Sequence, residues 1–274
     1  MKHGLHAVNL LVEENEETAK TFAAEIEAYN SERRDTDKVI TVEALAQIEE
    51  LQEQERFTTV VYNESWHKGV IGIVASRLTE TYYRPTLVFT KSGEKLAASA
   101  RSVKDFDVYD ALEACKEYIE QFGGHKYAAG LTLLESQYED FKRKFEEVVA
   151  GSIDSRLLTP EILIDEEINL EDITPKFNRI INQFAPFGPG NMTPVFLTTN
   201  LKDCGYGKCV GGDDLHLKCR LKQGNKPASI DAIGFNLGPK FDVIKPDNSF
   251  KAVYTIDENE WNGNISLQLK LKDI

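Results

Sequence analysis

The sequence predicts three parts in order: a long N-terminal helix, an α/β domain with helices covering a mixed sheet, and a small all-β barrel. Three observations predict this. Apolar residues recur at helical spacing through residues 14–55, short β-rich runs alternate with amphipathic segments over 57–150, and strand patterning dominates from Val195 onward. A chain of 274 residues is long enough for two domains, each with its own core.

In the first part, Ala19, Phe22, Ala23, Ile26 and Tyr29 form one apolar stripe, and Ala44, Leu45, Ile48 and Leu51 form a second. The polar stretch 31–38 between them is expected to be a kink or an exposed midsection. In the α/β part, 57–62 reads as a strand, 70–82 as a helix, and 85–90 and 95–101 as strands around a Ser92-Gly93 turn. Val108, Ala111, Leu112, Cys115, Ile119 and Phe122 predict a second helix, stopped by Gly123-Gly124. Residues 130–134 form a strand, and Ser136 followed by Glu139 is a capping-box signal for a helix through 149. Helices and strands that interleave in this way build layers of helix on sheet.

Residues 157–172 are acidic and connecting, with Ile162, Leu163 and Ile164 able to pair as a strand. Thr174-Pro175 predicts the start of a short helix ending near 184, and residues 187–191 break the chain. Strands are expected at 195–199, 201–209, 214–222, 228–235, 250–257 and 264–272, with Asn262-Gly263 as the last hairpin turn. Such a run of short strands without a long helix closes into a barrel. The expected boundaries are therefore a helix at 1–56, an α/β domain at 57–150, a linker at 151–190 and a barrel at 191–274.

The net charge of −13 argues against broad affinity for polyanions. Its distribution weakens that objection. Residues 1–56 hold 14 acidic and 6 basic side chains, and 157–174 adds further acidic residues with no basic one. No apolar run approaches the length of a membrane span, and the N-terminus lacks a signal-peptide pattern. The four cysteines have neither a disulfide-framework nor a zinc-site spacing, so they read as reduced thiols of a cytoplasmic protein. Nucleotide-loop, nucleophile-elbow and metalloprotease motifs are missing, and the five histidines are scattered. No metal-ligating set can be assembled.

Three clusters stand out. Residues 63–69, with His67 and Lys68, join a strand to a helix and offer an anion the helix N-terminus. The alternative is a turn whose Trp66 packs on the core. Ser99 and Arg101 share one face of a strand, which suits a phosphate, or else form an exposed strand pair. Gly123, Gly124 and His125 let backbone approach a phosphate beside an imidazole, or else simply cap a helix.

Their order carries a resemblance. WHKGVIGIVASR (66–77), SARS (99–102) and FGGHKYAAGLTL (122–133) resemble the DHH-associated domain of DHH phosphoesterases. FGPGNMTPVF (187–196), DLHLKCRL (214–221), DAIGFNLG (231–238) and the closing WNGNISLQLKLKDI are similar to the oligonucleotide-binding (OB) barrel of the RecJ family, single-strand-specific DNA exonucleases.

The resemblance implies a DHH-associated substrate-binding domain followed by an OB-like barrel. It also implies a parent 5′→3′ exonuclease of DNA repair and recombination, with single-stranded DNA and a single-stranded-DNA-binding protein as partners and no membrane. In that family Mn²⁺ or Mg²⁺ is held by a DHH domain, but no Asp-His-His occurs in this sequence. The expectation is a C-terminal portion with no metal of its own, inactive alone. By resemblance, Ser99 and Arg101 grip a phosphate near the 5′ end. Gly123, Gly124 and His125 face the metal centre, where His125 donates to the scissile phosphate, and His67 lines the same cleft. The barrel guides the strand with Lys218, Arg220 or Lys222, with Tyr206 and Trp261 as stacking candidates. Competing expectations are a standalone nucleic-acid-binding adaptor without nuclease activity and a small-oligonucleotide phosphoesterase, which leaves the barrel unexplained.

Overall fold

A computed structural model describes residues 4–245 and 248–274; the side chain of Trp261, one stacking candidate, lies outside the described residues. The chain divides into two compact units, Met1–Pro160 and Glu161–Ile274. The short helix expected in a linker therefore belongs to the second unit.

Unit one opens with α1 (Leu5–Val12) and the 35-residue α2 (Glu16–Glu50), whose cap Asn15 accepts from Thr18 N. The polar stretch 31–38 leaves α2 continuous. It ties the helix inward instead: Asp37, 1% exposed, takes Arg33 at 3.3 Å and Arg77 at 2.8 Å. One turn on, Ile40, Ala44 and Ile48 form a buried stripe at i, i+4, i+8. The Gln47 amide donates to Tyr62 O and accepts from Tyr62 N, satisfying the edge of the first strand.

The next elements are β1 (Thr59–Tyr62), α3 (Ile71–Tyr82), β2 (Thr86–Ser92), β3 (Lys95–Arg101), α4 (Val108–Glu113), β4 (Gln121–His125), β5 (Ala128–Leu134) and α5 (Tyr138–Ser152). They build a mixed sheet in the order β1-β2-β3-β5-β4, in which only β1–β2 is parallel. One cluster buries Leu96, Ala98, Leu131 and Leu133 with Phe141 and Phe145 of α5. On the opposite face, Val61 and Val88 pack with Val70, Val74 and Leu78 beside the α2 stripe. The expected α/β class with helices covering a sheet is borne out.

Two local expectations are corrected. The helix foreseen through Phe122 stops at Glu113, and Gln121–His125, which holds Gly123-Gly124, is a strand rather than a helix cap. Pairing with β5 overrides the helical spacing, and Glu120 N already donates to Thr132 O at 2.9 Å. The capping box at Ser136 is also not formed, because 135–137 wind into a 3₁₀ turn that leads directly into α5.

The link from α2 to β1 is fixed by side chains. Arg84, 3% exposed, donates to Thr59 Oγ1 (2.7 Å), Gln54 O and Arg56 O (2.6 Å each) and Glu53 O (2.8 Å). The Glu146 carboxylate accepts from Phe57 N and Thr58 N, at 2.9 Å each. Arg84→Met leaves buried carbonyls unpaired, and we expect it to cost about 3 kcal/mol, read as a lower urea midpoint.

Unit two holds β6 (Glu166–Glu167), α6 (Pro175–Asn182), β7 (Phe196–Asp203), β8 (Lys208–Val210), β9 (His216–Gln223), β10 (Ser229–Gly234), β11 (Phe250–Trp261) and β12 (Asn264–Asp273). The order β7-β11-β12-β10-β9 is closed by a β7–β9 pairing, giving a five-stranded barrel with β10 parallel to β12. Its core is formed by Phe196, Leu201, Leu217, Leu221, Tyr254, Leu269 and Leu271, onto which Phe177 and Ile181 of α6 pack. Thr174 caps α6 and Pro175 opens it, as expected. Asn262 (φ 49°) and Gly263 (φ 77°) turn the last hairpin, as the dipeptide requires.

The strand expected at 201–209 is instead split. Asp203 Oδ2 accepts from Gly205 N (2.7 Å) and Gly207 N (2.9 Å), turning the chain between β7 and β8. Ile162, Leu163 and Ile164 stay exposed outside any strand, and the pairing residues are Glu166 and Glu167.

Candidate nucleic-acid interface

Sheet register assembles the main site. In antiparallel pairs, residues directly opposite one another point to the same face. Ser99 pairs with Gly130 and Gly130 with Gly123; Arg101 pairs with Ala128 and Ala128 with His125. Two rows on one face of β3-β5-β4 thus carry Ser99, Arg101, Gly123 and His125, with strands about 4.8 Å apart. Their neighbours Ala98, Ala100, Ala129 and Leu131 point to the core. Gly123, Gly130 and His125 are exposed, so beyond Ser99 the first row is open backbone.

Arg101 is held from three sides. Its Nε donates to Ser76 Oγ of α3 at 3.2 Å, and Nη1 donates to Ser99 Oγ at 3.1 Å and to Ala100 O at 2.8 Å. All three acceptors are neutral, and Arg101 has no ion pair among the described residues. A pocket of about 280 Å³ opens beside it, lined also by Glu80, Tyr83, Ser102 and Lys104.

His125 sits at the end of the β4–β5 hairpin. The hairpin tip is clamped by Val108 N to Lys126 O at 3.0 Å and Ser102 N to Tyr127 O at 3.1 Å. Gly124 (φ 153°) makes the close approach possible: a Cβ there would lie 2.5 Å from Ala129 Cα and 2.7 Å from Ala129 Cβ. Gly123 has open space around it.

His67 does not join this set. It is exposed on the β1–α3 loop, where its Nδ1 accepts from Gly69 N at 3.0 Å. The groove it lines is shared with Asp35, Val39 and Glu43 of α2 and includes none of the other five residues. Trp66 beside it is buried, its indole donating to Glu43 at 2.7 Å.

The barrel has its own basic face. Lys218, Arg220 and Lys222 alternate with the buried Leu217, Cys219 and Leu221, so all three point outward from β9. Lys208 pairs directly with Lys218, and Lys202 with Lys222. Like charges set opposite each other in a sheet are destabilising unless an anion lies across them. Arg220 binds Asp231 through two bonds, of 2.7 and 2.9 Å, and this holds the Asp231 carboxyl below the usual carboxylate range. Tyr206, 66% exposed, lies with its ring centre 5.7 Å from the Arg220 guanidinium, beside a pocket of about 430 Å³ that includes Lys208 and Lys218.

Comparison with known proteins fits this geometry. Residues 54–151 match the DHHA1 domain, and 164–273 match the RecJ OB domain. The chain thus carries a DHHA1 domain followed by a RecJ OB domain. The single-stranded-DNA-specific exonuclease RecJ of Bacillus subtilis is 33% identical over 97% of this chain, and that of Escherichia coli is 32% identical over 97%. The chain spans only 34% and 47% of those two proteins. RecJ of Thermus thermophilus in complex with Mn²⁺ superposes with a TM-score of 0.76 at 24% identity, over 98% of this chain and 38% of that one. That likeness shows the fold.

The Mn²⁺ and Mg²⁺ of the Thermus structures prompt a test of the donor set here. Among the described residues of the DHHA1 and OB domains, no three His, Cys, Asp or Glu side chains come together as a metal site. The described residues do not fit such an ion.

Sequence reasoning missed Gly72 and Ser76. Both lie on α3 within the first motif, four residues apart, and so on one helix face. That face meets Ser99 and Arg101, a contact that only the β3–α3 stacking reveals.

Proposed function

We propose that this chain is the substrate-binding part of a RecJ-type, metal-dependent, 5′→3′ single-stranded DNA exonuclease. Arg101 carries the reading. It is a half-buried guanidinium with three neutral acceptors and, among the described residues, no carboxylate paired to it, beside a hydroxyl and a bare row of backbone. A phosphate supplies the missing anion, and the two uncommitted Nη2 hydrogens of the fixed guanidinium set its direction. Ser99 completes the grip. The exposed Gly123–Gly130 row admits the following sugar–phosphate, and His125 at the hairpin end donates to the phosphate undergoing hydrolysis.

The OB domain supplies affinity without sequence preference, with lysines along the backbone and Tyr206 stacking on a base. The four cysteines are free, in keeping with a reducing, cytoplasmic setting.

The test is direct. Tyr206→Ala together with Lys218→Ala is expected to weaken single-stranded DNA binding roughly tenfold or more, equally for phosphorylated and unphosphorylated ends. Unchanged affinity removes the barrel from the interface. Mn²⁺ or Mg²⁺ added to this chain is expected to produce no degradation of single-stranded DNA, and robust degradation would contradict the assignment of a binding role.

A further inference from the structure

We infer that Gly72 and Ser76 of α3 form a seat that sets the orientation of the Arg101 guanidinium, making them positioning residues for end recognition. This rests on the proposed role of Arg101 and goes one step behind it.

Ser76 Oγ lies 3.1 Å from Gly72 O, the carbonyl one turn back, and donates its hydrogen there. With the hydrogen so committed, a lone pair faces outward, and Arg101 Nε donates to it at 3.2 Å. The hydroxyl thus acts as an oriented acceptor. Without this bond, Nη1 with its two acceptors still anchors one corner of the guanidinium, but the Nε edge is left to swing.

Gly72 controls the other edge. A Cβ at this position would lie 3.0 Å from Arg101 Nη2 and 3.1 Å from Ser99 Oγ. Nη2 has no acceptor of its own among the described residues, so it is the edge left for a ligand. A methyl at Gly72 would push it and the Ser99 hydroxyl aside together. Ser76 on one side and the absent side chain of Gly72 on the other leave the plane of the guanidinium a single comfortable setting.

The seat makes an unusual prediction, because substitution at Gly72 is expected to move stability and binding in opposite directions. Gly72 lies in the first turn of α3, where alanine is the better helix former. Gly72→Ala is therefore expected to keep or raise the Tm while lowering the preference for a 5′-phosphate. A purely structural role would move both readouts together.

The experiment compares 5′-phosphorylated and 5′-hydroxyl single-stranded oligonucleotides, titrated into the whole chain and its Ser76→Ala, Ser76→Thr, Gly72→Ala and Arg101→Ala variants, each with its Tm. Ser76→Ala is expected to lower the phosphate preference roughly three- to tenfold, Ser76→Thr to restore most of it, and Gly72→Ala to lower it without a drop in Tm. If Arg101→Ala loses the preference while Ser76→Ala and Gly72→Ala retain it, the seat is wrong and the Arg101 reading stands. If the parent chain itself shows no preference, the Arg101 reading fails and the seat with it.

Discussion

Arg101→Ala is expected to erase any preference of this chain for a 5′-phosphorylated single strand, a loss of roughly ten- to a hundredfold in affinity for that end alone. Hydrogen bonds to a charged group are among the stronger polar contacts, and this guanidinium already has its Nε and Nη1 donors fixed by Ser76, Ser99 and Ala100. Little ordering is then left to do on binding, so most of the contact energy shows as affinity. Arg101→Lys keeps the charge but not the planar group held by Ser76, Ser99 and Ala100, and should recover only part of the loss. Affinity for the 5′-hydroxyl oligonucleotide should barely change, because the barrel lysines lie in the other unit. The check is a pair of fluorescence titrations for each variant. Equal losses on both ends would mean that Arg101 contributes general charge rather than end recognition.

The largest expected effect on stability is at Gly124. With φ at 153° and a Cβ only 2.5 Å from Ala129 Cα, Gly124→Ala forces backbone against backbone inside the β4–β5 pair. We expect a cost of about 3 kcal/mol, or roughly 6–12 °C in the Tm of the first unit, together with displacement of His125 at the end of the same strand. Gly123→Ala, one residue earlier, meets nothing within 4 Å. Its stability should be nearly unchanged, although its new methyl stands on the exposed Ser99–Gly130–Gly123 row and should impede ligand approach. Thermal melts of the two variants separate the positions: one glycine is required by the fold, the other by the open face. Similar melts for both would contradict this division.

The contrast between these glycines shows what the residues alone could reveal. That Ser99 and Arg101 share a face follows from the two-residue period of a strand and needs no tertiary knowledge. The Asn262-Gly263 turn was equally legible, because the dipeptide has few other uses between two strands. The placement of Gly123-Gly124 was not. Ile119 and Phe122 continue a helical spacing from Val108, and only pairing with β5, which follows after the two residues Lys126 and Tyr127, draws 121–125 into the sheet. A long-range effect hid the role of the polar stretch 31–38. Nothing local says that Asp37 will be buried between Arg33 and Arg77.

The charge pattern was informative in a different way. A total of −13 averages an acidic helix with a barrel face on which Lys202, Lys208, Lys218 and Lys222 stand in opposed pairs. Lys218, Arg220 and Lys222 were named from the resemblance, and the alternation of β9 turns them outward. The barrel register supplied their cross-strand neighbours. The neighbours of His67 were hidden for want of the same information, since the groove it lines depends on where α2 packs.

The central claim is that the exposed face of β3-β5-β4 receives the phosphorylated end of a single strand. Amide chemical-shift mapping of the ¹⁵N-labelled chain against a 5′-phosphorylated oligonucleotide tests it most directly. The account predicts large shifts at Ser99, Gly123, Gly124, His125 and Gly130 that disappear with the 5′-hydroxyl oligonucleotide, while shifts along β9 persist with both. Shifts confined to the barrel for both oligonucleotides, with the Ser99–Gly130–Gly123 row silent, would contradict it.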